Sequence, residues 1–463
     1  MKLNTSILLV NPPYIKEIYK KLSASRPPLG LAYVAASLEQ AGFKVEILDA
    51  DAELLSCEET AERIIRSSAK YVGFTSVTAT IPLVYEISYL VKAKDVKKII
   101  FVGGIHVTFT ADQTLKDCPA IDFVVRGEGE VTAPEVIKNL EKGEDICKIK
   151  GVTFRKGEEI ITNPDREFIE DINNIPLPAR HLLPIHLYSP WFLQNMGFRG
   201  RECASIITAR GCPNRCVFCS SPFFWKRVRI RTPESVVSEI EFLVNKYGAK
   251  HIDFLDDTLI LSEERMERIC RLILEKSLDI KWTCYARINH ITFDLVKLMK
   301  RAGCGFIQIG VESGNQNILD KVSKNITLEQ ARKAAKIVKR AGIKLMCDFM
   351  IGLPGDTRET VNQTIEFAKE LNADFAFFSI TVPFPGTVLY DDYRRQRANF
   401  NVPVLTNGEL QDLCSEAYYS FYYRPAFFRR ILAWVIRNPY EIKNFYSLVK
   451  IQIGKELRKI FTK

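Results

Sequence analysis

Two series of alternating strand and helix patterns fill most of this chain and restrict its fold more than any other feature. Short apolar, β-branched runs of strand length are mostly followed by longer runs in which apolar residues recur at helical spacing. Such alternation predicts parallel sheets, because two parallel strands can be joined only by a crossover connection, which is usually a helix. The first series covers residues 1–145, and the second begins at Cys203.

The first series predicts an α/β domain with a doubly wound parallel sheet. Such a sheet binds its ligand at the carboxyl ends of the strands, near the point where the strand order reverses. Residues 146–202 follow as a connecting segment, with a hairpin that turns at Lys156-Gly157 and then a proline-rich linker. The predicted strand runs are SILLVN, VEILDA, YVGFTSV, KIIFVGG and FVVRG.

The second series, residues 203–395, contains six strand-like runs, and helical patterns follow most of them. Six repeats of this length predict a (βα)6 partial TIM barrel, which would carry its chemistry at the carboxyl ends of its strands. Residues 396–463 are predicted to form a helical, aromatic and basic C-terminal region. The six runs are ASIITA, HIDFLDD, KWTCYAR, GFIQIGV, KLMCDFMIG and FAFFSITV.

Composition places the chain among globular, intracellular proteins. Apolar residues make up 47% and charged residues 26% of the 463 residues, no apolar run reaches the length of a membrane span, and we identify no signal peptide. We therefore expect a cytoplasmic protein, in which twelve cysteines do not form a disulfide framework. Nine cysteines are scattered singly and are predicted to be buried apolar residues.

The other three cysteines, Cys212, Cys216 and Cys219, form a C-x3-C-x2-C cluster directly after the first strand of the second series. A structural zinc site would need a fourth ligand, and inert core cysteines fit poorly with the polar loop residues Pro213 to Arg215. Three thiolates can instead hold a [4Fe–4S] cluster and leave one iron open to a substrate or cofactor. The cluster of cysteines therefore favours an iron–sulfur site.

This arrangement resembles the radical S-adenosylmethionine (SAM) enzymes, whose C-x3-C-x2-C signature follows the first strand of a partial barrel. The resemblance implies that Cys212, Cys216 and Cys219 hold a [4Fe–4S] cluster whose open iron chelates SAM. Reduction of the cluster would then cleave SAM to a 5′-deoxyadenosyl radical that abstracts a hydrogen atom. The residues that the resemblance assigns to SAM are Phe218 for the adenine, Asp256 and Asp257 near the amine, Arg287 for the carboxylate, Glu312, Ser313 and Gly314 for the ribose or methionine part, and Gly352 beside the adenine.

The residues alone leave other uses open for most of this set. Phe218 can be a loop aromatic buried for stability, and Asp256 and Asp257 can cap the following helix. Arg287 can pair with a neighbouring acid, and Gly352 can serve a tight turn into a helix.

The first domain resembles the cobalamin-binding domain that precedes the barrel in one large subclass of these enzymes. On this resemblance Thr75, Ser76, Gly103, Gly104 and Glu128 are assigned to cobalamin. The D-x-H-x-x-G motif, which supplies a histidine ligand to cobalt in many cobalamin proteins, is absent, so His106 is not assigned as a ligand. A flavin or nucleotide site is the main alternative, but no G-x-G-x-x-G or P-loop follows a strand.

The C-terminal region carries most of the net charge. Of the formal charge of +10, residues Ala417 to Lys463 contribute +8, and twelve aromatic residues lie between Tyr418 and Phe461. Three uses remain open: packing of the aromatics against the barrel, peripheral contact with an anionic membrane, and stacking on single-stranded nucleic acid, which we disfavour.

Together these resemblances imply a cobalamin-dependent radical SAM enzyme. The commonest chemistry of the subclass is C-methylation of an unactivated carbon, here of a small and lipid-like or apolar substrate, with a flavodoxin or ferredoxin as electron donor. The alternatives are a cyclase or ring-rearranging enzyme with the same cofactors, a methylthiotransferase acting on RNA or protein, and a non-enzymatic iron–sulfur or cobalamin-binding protein.

Overall fold

Two parallel sheets with surrounding helices make up the chain. The computed structural model describes residues 5–14, 26–188, 202–395 and 405–425, together with Phe427 and Arg429. The prediction of a membrane-binding or nucleic-acid-binding tail falls mostly on residues 430–463, which lie outside the described residues. Among the helices that are described, none combines the length and apolarity needed to cross a bilayer.

The strands agree closely with the predicted runs. All five strands of the first series and all six of the second form where periodicity and length place them. Their bounds are β1 Ser6–Asn11, β2 Lys44–Asp49, β3 Tyr71–Thr75, β4 Ile99–Gly103, β5 Phe123–Val125, β6 Val152–Lys156, β7 Glu159–Thr162, β8 Cys203–Ile206, β9 Ala209–Arg210, β10 Arg229–Ile230, β11 His251–Phe254, β12 Lys281–Ala286, β13 Cys304–Glu312, β14 Lys344–Ile351 and β15 Phe375–Ile380.

The helices begin at side-chain caps in many cases, as with the capping box of Ser56 and Glu59. Their bounds are α1 Leu29–Gln40, α2 Cys57–Arg66, α3 Ile81–Lys94, α4 Ile105–Asp117, α5 Gly129–Glu141, α6 Ser221–Trp225, α7 Pro233–Tyr247, α8 Glu263–Glu275, α9 Phe293–Arg301, α10 Gln316–Lys321, α11 Leu328–Arg340, α12 Arg358–Leu371, α13 Val388–Arg395 and α14 Asn407–Tyr422.

The first sheet has the order β2-β1-β3-β4-β5-β6-β7. Strands β1 to β5 are parallel, as predicted, and the hairpin of β6 and β7 extends the sheet with antiparallel pairs at one edge. Helices cover both faces and bury two separate apolar layers. The strand order reverses between β1 and β3, so the expected ligand position lies at the carboxyl ends of these strands.

The second sheet has the order β8-β11-β12-β13-β14-β15, and every pair in it is parallel. The (βα)6 partial barrel predicted from six repeats is confirmed. Its largest apolar cluster lies between the strands and the outer helices α7 to α12. The barrel stays open because β8 and β15 do not pair with each other.

The segment between the two sheets is fixed to both of them. Ala179 N–H donates to the Ala32 carbonyl of α1 at 2.9 Å. The buried Arg180 donates to Glu239 of α7 at 2.7 Å and to the Ser205 carbonyl of β8 at 2.8 Å. Two adjacent residues of the segment thus contact the first domain and the barrel. The predicted domain boundaries at 145, 202 and 395 stay predictions.

Helix α14 covers the open edge of β15 with tyrosine hydroxyls. Tyr422 Oη accepts a hydrogen bond from Ala376 N at 3.1 Å and donates to Ala376 O at 2.7 Å. Tyr418 Oη accepts from Phe378 N at 3.1 Å. An edge strand presents unpaired backbone groups that would otherwise be free to pair with another chain. For the described part of the C-terminal region, packing of aromatics against the barrel is therefore confirmed.

We expect Tyr422→Phe to lower the free energy of unfolding by about 1–3 kcal/mol, because a buried strand edge would keep a donor and an acceptor without partners. Urea unfolding followed by circular dichroism measures the change. Tyr419→Phe removes the same atom from a side chain that is 56% exposed and should leave the midpoint unchanged. Equal midpoints for both variants would contradict the role of the Tyr422 hydroxyl.

Candidate active site between the two sheets

The cysteine loop begins at a glycine that no other residue can replace without strain. Gly211 has φ +95°, and a Cβ atom at this position would lie 2.7 Å from the Arg227 carbonyl oxygen. Arg210, the residue before Gly211, ends β9, and Cys212 is the residue directly after Gly211. The loop thus leaves the barrel in a fixed direction at the carboxyl end of the first barrel strand.

The three cysteines lie close enough to influence one another. Burial raises the pKa of the Cys219 thiol to about 12, and Asp257, Cys216 and Cys212 add to the shift. Arg287 Nη1 donates to Cys216 Sγ at 3.6 Å, and Asn214 Nδ2 lies 3.5 Å from Cys212 Sγ. Since a metal ion deprotonates a coordinating thiol outright, the raised pKa of Cys219 is compatible with a metal ligand.

The three thiols are compatible with a multi-iron cluster. No group of three or more His, Cys, Asp or Glu side chains within the described ranges is arranged to hold one metal ion. In an iron–sulfur cluster each cysteine binds a different iron, so the sulfurs need not converge on one point. Three neighbouring thiols with a cation beside one of them therefore suit an iron–sulfur cluster.

Arg287 and Glu312, which the resemblance assigns to SAM, are linked through Lys324 next to the cysteine loop. Arg287 also donates through Nη2 to the Lys324 carbonyl, and its Nε is buried with no partner among the described residues. Lys324 Nζ lies 2.6 Å from Glu312 Oε1, and both side chains are buried. An unpartnered guanidinium nitrogen and a buried acid, linked through Lys324, are suitable groups to bind a zwitterion such as the methionine part of SAM.

Asp256 and Asp257 do not act as a pair. Asp256 Oδ1 accepts from Thr208 N at 2.8 Å and also from Ala209 N, so it fixes the backbone ahead of the cysteine loop. Burial raises the pKa of Asp256 to about 6, against these hydrogen bonds and the nearby Arg265. Asp257 instead accepts from Ser221 Oγ. The alternative that these acids cap the next helix is wrong, because Ser262 caps α8.

The remaining residues assigned to SAM have packing partners in the structure. Ser313 and Gly314 contact Thr364 of α12, and a Cβ atom at position 314 would lie 2.6 Å from the Gln363 carbonyl oxygen. Gly352 has φ +85° and donates to Asp356, as a tight turn requires. Phe218 packs against an apolar cluster formed by Ile318, Val322 and Leu353. Their roles toward SAM stay predictions.

A cavity of about 310 Å3 lies between the carboxyl end of the first sheet and the cysteine loop. Thr75, Gly103, Gly104 and Glu128, four of the five residues assigned to cobalamin, line it. A Cβ atom added at Gly30 or Gly127, which also line the cavity, would meet no atom within 4 Å. We call Gly30, Gly103, Gly104 and Gly127 the glycine cradle, which exposes backbone to the cavity at the position where doubly wound sheets bind ligands.

Ser76, the fifth residue, supports the cradle from behind. It is buried, and its hydroxyl donates to the Gly103 carbonyl at 3.0 Å. Gly104 has φ +106°, and a Cβ atom there would lie 2.5 Å from the Ser76 carbonyl oxygen. Ser76 does not line the cavity. Its observed contact supports the backbone at Gly103, and its assignment to cobalamin stays a prediction.

Glu128 belongs to a buried charge network that joins the two domains, which we call the interdomain clamp and define as Arg210, Arg229, Glu128 and Glu130. Arg210 donates to both glutamates, and Arg229 Nη1 lies 2.8 Å from both carboxylate oxygens of Glu128. Burial alone would lower the pKa of Arg210, but Glu130 and Glu128 hold it above its ordinary value. The clamp ties the cofactor cavity to the cysteine loop.

Sequence reasoning did not identify several of these groups. Arg210 lies between the rings of Tyr33 and Trp225, with its guanidinium carbon 5.5 and 5.4 Å from their centroids. Its position directly before Gly211 and Cys212 was the available signal. Lys324 gave no signal at all, because nothing in its sequence neighbourhood marks its buried partner.

The barrel interior also holds polar groups that were not predicted. Gln308 Nε2 donates to both oxygens of Asp348, at 2.9 and 2.8 Å, and burial raises the pKa of Asp348 to about 7. Arg26, which precedes α1, donates to Tyr285 Oη at 2.9 Å and lies 3.0 Å from Asp253. The first domain therefore contributes a cation to the barrel mouth.

Comparison with known proteins agrees with this geometry. The sequence profile of the B12 binding domain matches residues 19–137, and that of the Radical SAM superfamily matches residues 206–368. An uncharacterized methyltransferase of Pyrococcus horikoshii is 36% identical over 434 residues, which cover 90% of this chain and 93% of that protein. The anaerobic magnesium-protoporphyrin IX monomethyl ester cyclase of Cereibacter sphaeroides is 30% identical over 444 residues, 91% of this chain and 71% of that protein.

A solved structure shares the fold over most of the chain. The radical S-adenosylmethionine methyltransferase TsrM from Kitasatospora setae, with cobalamin and a [4Fe-4S] cluster bound, matches with a TM-score of 0.69 and 21% identity, over 86% of this chain and 76% of that one. The two domains thus occur in the predicted order, and the predicted cofactors, a [4Fe–4S] cluster, SAM and cobalamin, are confirmed. The chain is an enzyme and belongs to the family of cobalamin-dependent radical S-adenosylmethionine enzymes.

Proposed function

We propose that this enzyme transfers a methyl group to an unactivated carbon of a small, lipid-like or otherwise apolar substrate. The cavity between the two sheets carries the proposal. It is lined by the glycine cradle on one side and by Arg210 and Asp257, which flank the cysteine loop, on the other. Apolar and aromatic side chains cover much of the remaining wall, namely Leu31, Val34, Phe74, Phe101, Phe224 and Trp225.

The chain's own residues would hold and separate three groups. When bound, the cluster with SAM supplies a 5′-deoxyadenosyl radical, and cobalamin supplies the methyl group. Cys212, Cys216 and Cys219 would hold the cluster, and Arg287 and Glu312 would orient SAM by charge. The glycine cradle at 103 and 104 would admit cobalamin, with Thr75 as a hydrogen-bonding neighbour. Phe224 and Trp225 contact each other edge to face, with their ring centroids 4.6 Å apart. These rings would keep water out of the space between the cluster, SAM and cobalamin.

The relatives support two chemistries for the same pair of cofactors. The Pyrococcus horikoshii protein bears the name of a methyltransferase, which favours methyl transfer. The Cereibacter sphaeroides protein is a cyclase, so ring formation is the second candidate. A flavodoxin or ferredoxin as electron donor remains part of the proposal.

The two chemistries differ in the products they form from SAM. Methyl transfer consumes one SAM as methyl donor, giving S-adenosylhomocysteine, and a second one as radical source, giving 5′-deoxyadenosine and methionine. Protein reconstituted anaerobically with iron, sulfide and cobalamin is mixed with reductant and SAM. A methyltransferase should yield 5′-deoxyadenosine and about one S-adenosylhomocysteine per bound cobalamin, because no substrate is present to take the methyl group further, whereas a cyclase should yield only 5′-deoxyadenosine. Absence of S-adenosylhomocysteine would contradict methyl transfer, and iron near eight rather than about four per chain would favour a methylthiotransferase.

The cobalamin position has its own test. We expect Gly103→Phe to abolish cobalamin retention, because a bulky ring at the end of β4 would extend into the cradle, while a strand accepts an aromatic residue. Gly103→Ala is the matched control, since its Cβ would lie at an ordinary contact distance of 3.6 Å from Val125 O. Absorbance of bound corrin after gel filtration measures retention. Retention of cobalamin by the phenylalanine variant at the wild-type level would contradict the assignment.

A further inference from the structure

A four-residue loop, Val322 to Asn325, connects three predicted parts of the SAM site: the cysteine loop, Arg287 and Glu312. Val217 N–H of the cysteine loop donates to the Val322 carbonyl at 3.1 Å. Arg287, which also donates to Cys216 Sγ, donates to the Lys324 carbonyl. Asn289 Nδ2 donates to the Asn325 carbonyl at 3.1 Å. The backbone of one short loop therefore receives hydrogen bonds from the cysteine loop and from two residues that follow the end of β12.

The loop and its buried partner are held in conformations that non-glycine residues seldom adopt. Ser323 has φ +53°, Asn325 has φ +55°, and Glu312, at the end of β13, has φ +70°. Left-handed backbone at such residues costs free energy and persists only where surrounding contacts enforce it. Three such residues lie in one small region around Lys324, which indicates that their exact placement is maintained by specific contacts.

Lys324 supplies the contact that joins the loop to Glu312. Its Nζ lies 2.6 Å from Glu312 Oε1, with side-chain exposures of 7% and 10%. A Cβ atom at Gly310 would lie 2.3 Å from Glu312 Oε1 and 2.8 Å from Lys324 Nζ, so the strand leaves space for this pair and little else. A buried carboxylate without its cation would be strongly unfavourable, and it would turn away or bind a proton.

We propose that Lys324 is a positioning residue of the SAM site, which holds the Glu312 carboxylate at a fixed place relative to Cys216. The chain of contacts runs from Cys216 Sγ through Arg287 to the Lys324 carbonyl, and from Lys324 Nζ to Glu312. The sulfur ligand and the acid are thereby joined through two residues, Arg287 and Lys324. This inference rests on the SAM site of the proposed function and not on methyl transfer.

SAM binding to the reduced cluster tests the inference without turnover or substrate. We titrate SAM into anaerobically reconstituted protein and follow the change in the electron paramagnetic resonance spectrum. Lys324→Met should keep about four irons per chain but raise the SAM dissociation constant about tenfold or more, because the Glu312 carboxylate is no longer held. Lys324→Arg, which preserves the cation, should recover most of the affinity.

Lys321→Met is the matched control, because it removes the same charge from an exposed lysine three residues earlier. It should bind SAM as the wild type does. A Lys324→Met protein with the wild-type dissociation constant would overturn the proposal. A second pattern would also overturn it: Lys324→Met loses its iron, and Lys324→Arg retains iron but does not recover SAM binding. That pattern means that Lys324 has a packing role only. Failure of methyl transfer with these binding results unchanged would count against the proposed function alone.

Discussion

Replacing Cys216 with alanine is expected to abolish the reductive cleavage of SAM. The loop would keep two thiols of three, and Arg287 would lose the sulfur to which it donates. Iron should fall from about four to below about one per chain after anaerobic reconstitution. Formation of 5′-deoxyadenosine should fall by on the order of 10³-fold, to the background of the assay, because the cofactor carries the chemistry. Iron analysis and chromatography of the nucleoside measure the two effects on one sample.

The control for this substitution is Cys147→Ala, which makes the same change at a half-exposed cysteine near the start of the β6–β7 hairpin. This variant should keep its iron and its activity. A Cys216→Ala protein that retained four irons and cleaved SAM would show that the cysteine trio is not the cluster site. The iron would then have to be held by other cysteines of the chain.

Arg210→Met is expected to cause the largest loss of stability. The substitution leaves Glu130 buried without a cation and Glu128 with Arg229 as its remaining cation, while the methionine side chain still fills much of the space between Tyr33 and Trp225. Removing one partner of a buried ion pair costs about 3–5 kcal/mol, because an uncompensated charge remains in the interior. The urea midpoint of the cofactor-free protein should fall accordingly.

Arg227→Met is the matched control for the interdomain clamp. Arg227 pairs with Glu170 at the surface, where its side chain is 45% exposed, and surface pairs contribute about 0–1 kcal/mol. The double variant Arg210→Met with Glu130→Gln should be less destabilised than the sum of its two single changes, because one buried charge is removed along with its partner. Equal midpoints for Arg210→Met and Arg227→Met would contradict the account of the clamp.

The strands could be predicted because their signal is local. Runs such as SILLVN and FAFFSITV are apolar, of strand length and bounded by turn residues, and a buried parallel strand needs no more than that. Helix α5 was missed because Gly129 begins it and Pro134 interrupts its pattern, although buried Ala133, Val136 and Ile137 share one face. The glycine and the proline argued against a helix in the sequence, whereas in the folded protein the packing of the apolar face stabilises one.

The candidate site was predictable only where its chemistry lies in one short stretch. The spacing of Cys212, Cys216 and Cys219 predicted the iron–sulfur cluster directly. Glu128 was assigned to cobalamin from its neighbouring glycines, yet its oxygens accept from Arg210, Arg229 and the Ile169 amide. Arg210 and Glu130 are 80 residues apart, and Arg229 and Glu128 are 101 residues apart. Pairs with such separations leave no pattern in a single sequence.

Helix α14 has a consequence for how wide the barrel can open. A closed eight-stranded barrel has no edge strands, whereas this six-stranded sheet has two, and one of them is β15. The hydroxyls of Tyr418 and Tyr422 serve there as a surrogate for a seventh strand. They hydrogen-bond to backbone groups of β15 without continuing the sheet. The barrel can therefore stay open for bulky cofactors, while the edge of β15 is protected from pairing with another chain.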